Sequence, residues 1–166
     1  MKISTQITLP EYRKLQYTLL YTKLIFVWVT LCGLVMFVAA IVQLLNGEDA
    51  NGSSISFGLG FGLLVILMPL FIYISSSKTF KSLVALNKPT KYEFLSDRLI
   101  IDTAVGHTEM PWENYYKIKE LSNWFLLYQN ANVANLIPKT NLSEQDIVGI
   151  RYILQNAPVK KKKLKK

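Results

Sequence analysis

Residues 24–45 read LIFVWVTLCGLVMFVAAIVQLL: 22 positions without a charge, 14 of them Leu, Ile, Val or Phe. A bilayer core about 30 Å thick is crossed by about 20 apolar residues rising about 1.5 Å each, so this stretch is long enough to span it. Its Leu, Ile, Val and Phe residues together favour insertion by roughly 4 to 8 kcal/mol, an upper bound because those near the ends count for less. Residues 55–74, ISFGLGFGLLVILMPLFIYI, repeat the pattern over 20 uncharged positions. The first run begins only after 23 residues. It is also longer than the about 7–15 apolar residues of a cleaved signal peptide, and so reads as a retained span. The two stretches predict a two-helix transmembrane hairpin.

Outward from the spans, charge sets the expected topology. Lys2, Arg13, Lys14 and Lys23 precede the first span, and Lys78, Lys81, Lys88 and Lys91 follow the second. The connecting segment 46–54, NGEDANGSS, has Glu48 and Asp49 but no Lys or Arg. Because Lys and Arg near spans stay on the cytoplasmic side, both termini are expected in the cytoplasm of a multi-pass cell-membrane protein, with the short loop outside. The chain then divides into an N-terminal strand and membrane-entry helix (1–23), the spans 24–45 and 55–74 about the 46–54 loop, a cytoplasmic domain (75–157) and a polybasic tail (158–166). Tyr12, Tyr17 and Tyr21 near the membrane entry fit an interfacial aromatic belt. Cys32, the single cysteine, lies mid-span and reads as a small packing residue.

In the second span Gly58 and Gly62 form a GxxxG spacing that lets another helix approach closely. The first span, near Gly33 or Ala39–Ala40, and a second copy of the protein are both candidates for that helix. A phosphate loop is excluded at GLGFGLL, which lies within an apolar run with no preceding strand.

Past residue 78 the periodicity changes to two. The segments 91–95, 99–104, 107–112, 115–121, 124–129 and 133–139 alternate between turn signals and predict six short strands. Ser143 and Asp146 offer a capping box to a helix ending near Asn156, with Ile147, Ile150, Leu154 and Ala157 along its sheet-facing side. Residues 3–8 supply a further strand if they join the sheet, which would insert the hairpin within the domain. Seven antiparallel strands and one C-terminal helix is the order of a pleckstrin-homology-like (PH-like) barrel. The expected class is therefore membrane α+β: a two-helix transmembrane hairpin plus a small antiparallel PH-like β-barrel or sheet with one C-terminal helix.

Taken in order, TLPEY near the start, the hairpin, YEFLSDRLII, PWENYYKI, WFLLYQ and LIPK before a Ser-capped helix resemble the YcxB-like family of bacterial membrane proteins. The resemblance covers nearly the whole chain. It implies the membrane hairpin and a PH-like soluble part, and brings no catalytic residues with it.

The aromatics of 111–128 are read chiefly as core. A soluble part of about 80 residues buries only about 60% of its surface, and each aromatic supplies about 150–250 Å². Tyr92 and Phe94 share a face, as do Tyr116 and Ile118 opposite Lys117 and Lys119. WFLLYQ is apolar on both faces, so its second face also needs cover. One histidine and one cysteine supply no metal site, and no cofactor motif is present. His107, near Asp102 and Glu109 in a hairpin, reads as a solvated turn residue rather than a catalytic base, so no enzyme is expected.

The tail VKKKKLKK holds six of the net eight positive charges. Lys160, Lys161, Lys162, Lys163, Lys165 and Lys166 are candidate contacts to anionic lipid at the cytoplasmic face, worth up to about 1 kcal/mol each. No aromatics interleave them, which disfavours nucleic acid. The functional expectation is a non-enzymatic integral membrane protein presenting a PH-like interaction or lipid-sensing domain at the bilayer. The alternative is an accessory or immunity-type subunit docking on another membrane protein, or on its own copy, through the Gly58/Gly62 face.

Overall fold

The computed structural model describes residues 1–47, 53–83 and 88–165. The Glu48–Asp49 loop centre and Lys166 lie outside them. The chain forms two compact units: residues 9–82, and the pair of segments 1–8 and 83–166.

The first unit is three helices, α1 (Leu9–Tyr21), α2 (Leu24–Leu45) and α3 (Ser53–Ser82). The 22 residues of α2 rise about 33 Å, enough for a bilayer core. Only 11% and 22% of the most apolar windows of α2 and α3 are buried, so within this chain most of their apolar surface is uncovered. Helix α3 runs to Ser82 rather than ending near residue 74, because Ser75, Ser77 and Ser82 return hydrogen bonds to their own helix and do not break it. Tyr12 and Tyr17 are not a free aromatic belt. Tyr12 is buried with its ring 5.8 Å from that of Phe80, and the Tyr17 hydroxyl donates to the Pro69 carbonyl at 2.8 Å. Arg13 lies over the Tyr73 ring at 3.7 Å and donates to Ser77 Oγ at 2.8 Å. These contacts tie α1 to α3. Cys32 is exposed on α2 instead of packed between helices.

The second unit holds eight strands among the described residues. The first sheet has the order β1 (Lys2–Thr5), β2 (Thr90–Phe94), β3 (Arg98–Thr103), β4 (Gly106–Pro111), all antiparallel. The N-terminal strand does join: Lys2 stands opposite Glu93 and Thr5 opposite Thr90. The hairpin is therefore inserted, in sequence, within this unit. The second sheet runs β7 (Ala134–Pro138), β6 (Trp124–Tyr128), β5 (Lys117–Glu120), β8 (Lys162–Lys163). Helix α4 (Glu144–Asn156) follows β7, and its capping box is complete: Asp146 N–H donates to Ser143 Oγ and Ser143 N–H to the Asp146 carboxylate.

Of the expected barrel or sheet, the structure has two separate hydrogen-bonded sheets, and they do not close into a barrel. The break falls at Trp112–Asn114, a single turn of 3-10 helix between β4 and β5. Trp112 is fully buried there, its indole N–H donating to the Leu95 carbonyl at 3.1 Å. The turn also shifts the phase entering β5. Tyr115 points into the core and Tyr116 is 47% exposed, the reverse of the alternation read from sequence.

One core joins both sheets and α4. Tyr92, Phe94, Leu99 and Ile101 from the first sheet meet Ile118, Phe125, Leu127 and Ile137 from the second, with Ile150, Leu154 and Ala157 closing over them. The Tyr92 hydroxyl donates to the Leu136 carbonyl across the gap, at 3.2 Å. Phe125, Leu126 and Leu127 are all fully buried, so both faces of β6 are covered.

Candidate functional site

Three features carry chemistry, and the first is the helix contact at Gly58 and Gly62. A Cβ added at Gly58 would meet the Met36 carbonyl oxygen at 2.8 Å and the Ala40 Cβ at 2.9 Å, and one at Gly62 would run into the Phe37 side chain. Both glycines are thus spent on α2 of the same chain, with Gly33 reciprocally against Val65. Of the two candidate helices, the first span is the one that packs at these glycines within this chain.

The second feature is a charged line on the exposed side of β3 and β4. Asp97, Arg98, Glu109, His107 and Asp102 alternate in sign: Arg98 pairs with Asp97 at 2.8 Å and with Glu109 at 3.1 Å. His107 gives Nδ1 to Asp102 and Nε2 to Glu109, the latter at 3.2 Å. Asp102, then Glu109, raise the His107 pKa above its ordinary value by hydrogen bonding to the charged ring. Both ring nitrogens are occupied by carboxylates, an arrangement that ties an edge strand to its neighbour.

The third feature is the tail with the buried carboxylate beneath it, which the sequence reading did not pick out. Glu120 sits on β5 in phase with Ile118, and its side chain is 0% exposed. Lys139 Nζ donates to Oε1 at 2.6 Å, and Arg151 grips both oxygens, at 2.7 and 3.1 Å. The Lys165 N–H completes the set on Oε2 at 2.9 Å. Burial alone would push the Glu120 carboxyl up. Hydrogen bonds from Arg151, Lys139 and Lys165 outweigh it and hold the pKa down, at about 2. Lys139 also donates to the Leu121 carbonyl and lies 4.3 Å from the Phe125 ring centre. The signal that could have found this cluster is phase: Glu120 and Lys139 each stand two residues after a buried isoleucine, with opposite charges.

The clamp seats the tail. Val159 is buried, Leu164 packs against the core, and Lys162–Lys163 pair in parallel with β5. The tail is an edge strand, and its lysines are not equivalent. Lys162 Nζ caps the last turn of α4 through the Gln155 carbonyl at 2.6 Å. Lys165 Nζ reaches Ser122 Oγ at 3.3 Å. Lys161 lies over the Tyr116 ring at 5.0 Å, and Lys160 and Lys163 are exposed.

A family model described as YcxB-like protein matches residues 94–154. Over that stretch the chain is similar to the YcxB-like family. The match runs from the end of β2 to near the end of α4 and so includes Glu120, Lys139 and Arg151 of the clamp. The transmembrane candidates and the lysine tail lie outside the YcxB-like stretch. No curated protein and no solved structure matches the chain. Among the described residues no cluster of His, Cys, Asp or Glu suits a metal ion.

Proposed function

We propose that this chain is a non-enzymatic integral membrane protein whose two-sheet unit works as an interaction or lipid-sensing module at the cytoplasmic face of the cell membrane. Both termini lie in the cytoplasm and the 46–54 loop lies outside. The observation that carries the reading is the insertion of two long, exposed apolar helices between β1 and β2. Chain that leaves and re-enters one folded unit through such a hairpin keeps that unit beside the bilayer. The lysine count on either side of the spans supports the orientation, and the exposed tail lysines support an anionic surface as partner. Sidedness reporters placed at Gly52 and after Lys166 should appear on opposite sides of the membrane. Both on one side would overturn the topology and, with it, the module's place at the bilayer.

A further inference from the structure

Register along the β5–β8 edge sorts the lysines by face. Ile118 stands opposite Lys162 and Lys119 opposite Lys163. Opposed residues in a sheet point to the same side, and successive ones to opposite sides. Lys162 therefore shares the side of Ile118, where it caps α4. Lys117, Lys119 and Lys163 fall on the other side, with Lys161 next along the strand beside Lys117. The Ile118 N–H to Lys161 carbonyl bond, 2.9 Å, fixes this alignment.

The sole carboxylate on β5, Glu120, faces the opposite way and is saturated by Lys139, Arg151 and the Lys165 N–H. Among the described residues none of the four lysines makes an ion pair with a carboxylate. Lys117 and Lys119 are half-buried, and burial, then the nearby charges of Lys117 and Lys163, hold the Lys119 pKa below its ordinary value. Ammonium groups gathered without a counter-charge destabilise one another unless an anion joins them. Here the clamp on Glu120 holds the tail in place and so maintains the gathering.

We propose that Lys117, Lys119 and Lys163, brought to one face by the parallel pairing of the tail with β5, form a binding site for clustered phosphate charge. The inference rests on the function proposed above and names the ligand class of its module. It also differs from a loose polybasic tail in one testable respect: two of its three ligating residues lie outside the tail, on β5.

The test uses the full chain in phosphatidylcholine nanodiscs at 150 mM salt, where attraction beyond about 8 Å is screened. Acylation rates of individual lysines are read by mass spectrometry with and without pyrophosphate, and in discs containing phosphatidylglycerol. Lys117, Lys119 and Lys163 should be protected together while exposed Lys91 is not. Protection by pyrophosphate in neutral discs assigns a soluble phosphate site, whatever the chain's sidedness. Protection only by phosphatidylglycerol assigns lipid headgroups. Replacing Lys117 and Lys119 by Gln leaves all six tail lysines in place, yet should weaken binding by about fivefold for each residue removed. Unchanged binding by that variant, or no protection of Lys117 and Lys119 by either anion in the native chain, overturns the site. The native-chain labelling stands even if the variant fails to fold.

Discussion

Glu120 shows how much one residue settles. A buried carboxylate is costly to charge unless its lone pairs are filled, and four N–H groups fill them here. Removing the charge alone leaves Lys139 and Arg151 facing a neutral amide, so Glu120→Gln should cost about 3–5 kcal/mol in chemical denaturation of the full chain. Its folded pKa, about 2, lies below the ordinary 4.5. The stabilisation is thus complete above pH about 4.5 and is lost as pH falls toward about 2. A stability profile flat across that window would show that Glu120 is not the acid-labile group. The cluster was half legible in the sequence: the phase of Glu120 and Lys139 is visible, but the helix turn that brings Arg151 to the same carboxylate is not. His107 behaves in the opposite sense. Its partners raise its pKa, so any stability it adds is present below its unfolded value and fades as pH rises through the folded one. Asp102→Asn should lower the pKa seen in an NMR titration of the ring; an unmoved titration would detach His107 from Asp102.

At the scale of elements, periodicity read well and partners read poorly. The apolar run 24–45 is helix α2, and the six alternating segments are strands within a residue or two at most ends, because burial on one face dictates both patterns. Two elements escaped. VKKKKLKK has no alternation to show, and it becomes a strand because Val159, Leu164 and the Glu120 oxygens anchor it from either end. The Tyr115/Tyr116 reversal comes from the turn at Trp112–Asn114, which a strand pattern does not reveal. The GxxxG spacing was legible as a close approach, while its partner was decided only by the packing of α2 against α3. Gly62 and Gly60 then separate two effects. Gly62 has the Phe37 ring against it, whereas nothing lies within 4 Å of a Cβ on Gly60. Gly62→Val should destabilise the helix pair by about 1–3 kcal/mol through overpacking, while Gly60→Ala leaves it unchanged or slightly better, as helix propensity favours Ala. Unfolding of the full chain in bicelles by added detergent checks both. Equal effects would mean that α2 and α3 do not meet at Gly62.

Across the whole molecule, the chain builds its sheet unit from segments more than 70 residues apart, and the six residues ISTQIT do not by themselves choose a partner. What chooses is the register of Lys2–Thr5 on Thr90–Glu93, with Ile3 buried in the shared core and Phe94 N–H bonded to the Met1 carbonyl at 2.7 Å. Cooperative units in a protein follow packing rather than chain order. Strand β1 is covalently continuous with α1, but its ladder and its buried side chain belong to β2 and β3. In hydrogen exchange of the full chain under mild denaturant, the amides of β1 should therefore lose protection together with those of Tyr92 and Phe94, and independently of α1. The contrast is sharp because the two outcomes share every covalent bond. If β1 opens with α1 while β2 stays protected, the N-terminal strand is an appendage of the helical unit. If β1 and β2 open together, the N-terminal strand belongs to the sheet unit, and the hairpin interrupts that unit in sequence without dividing its cooperativity.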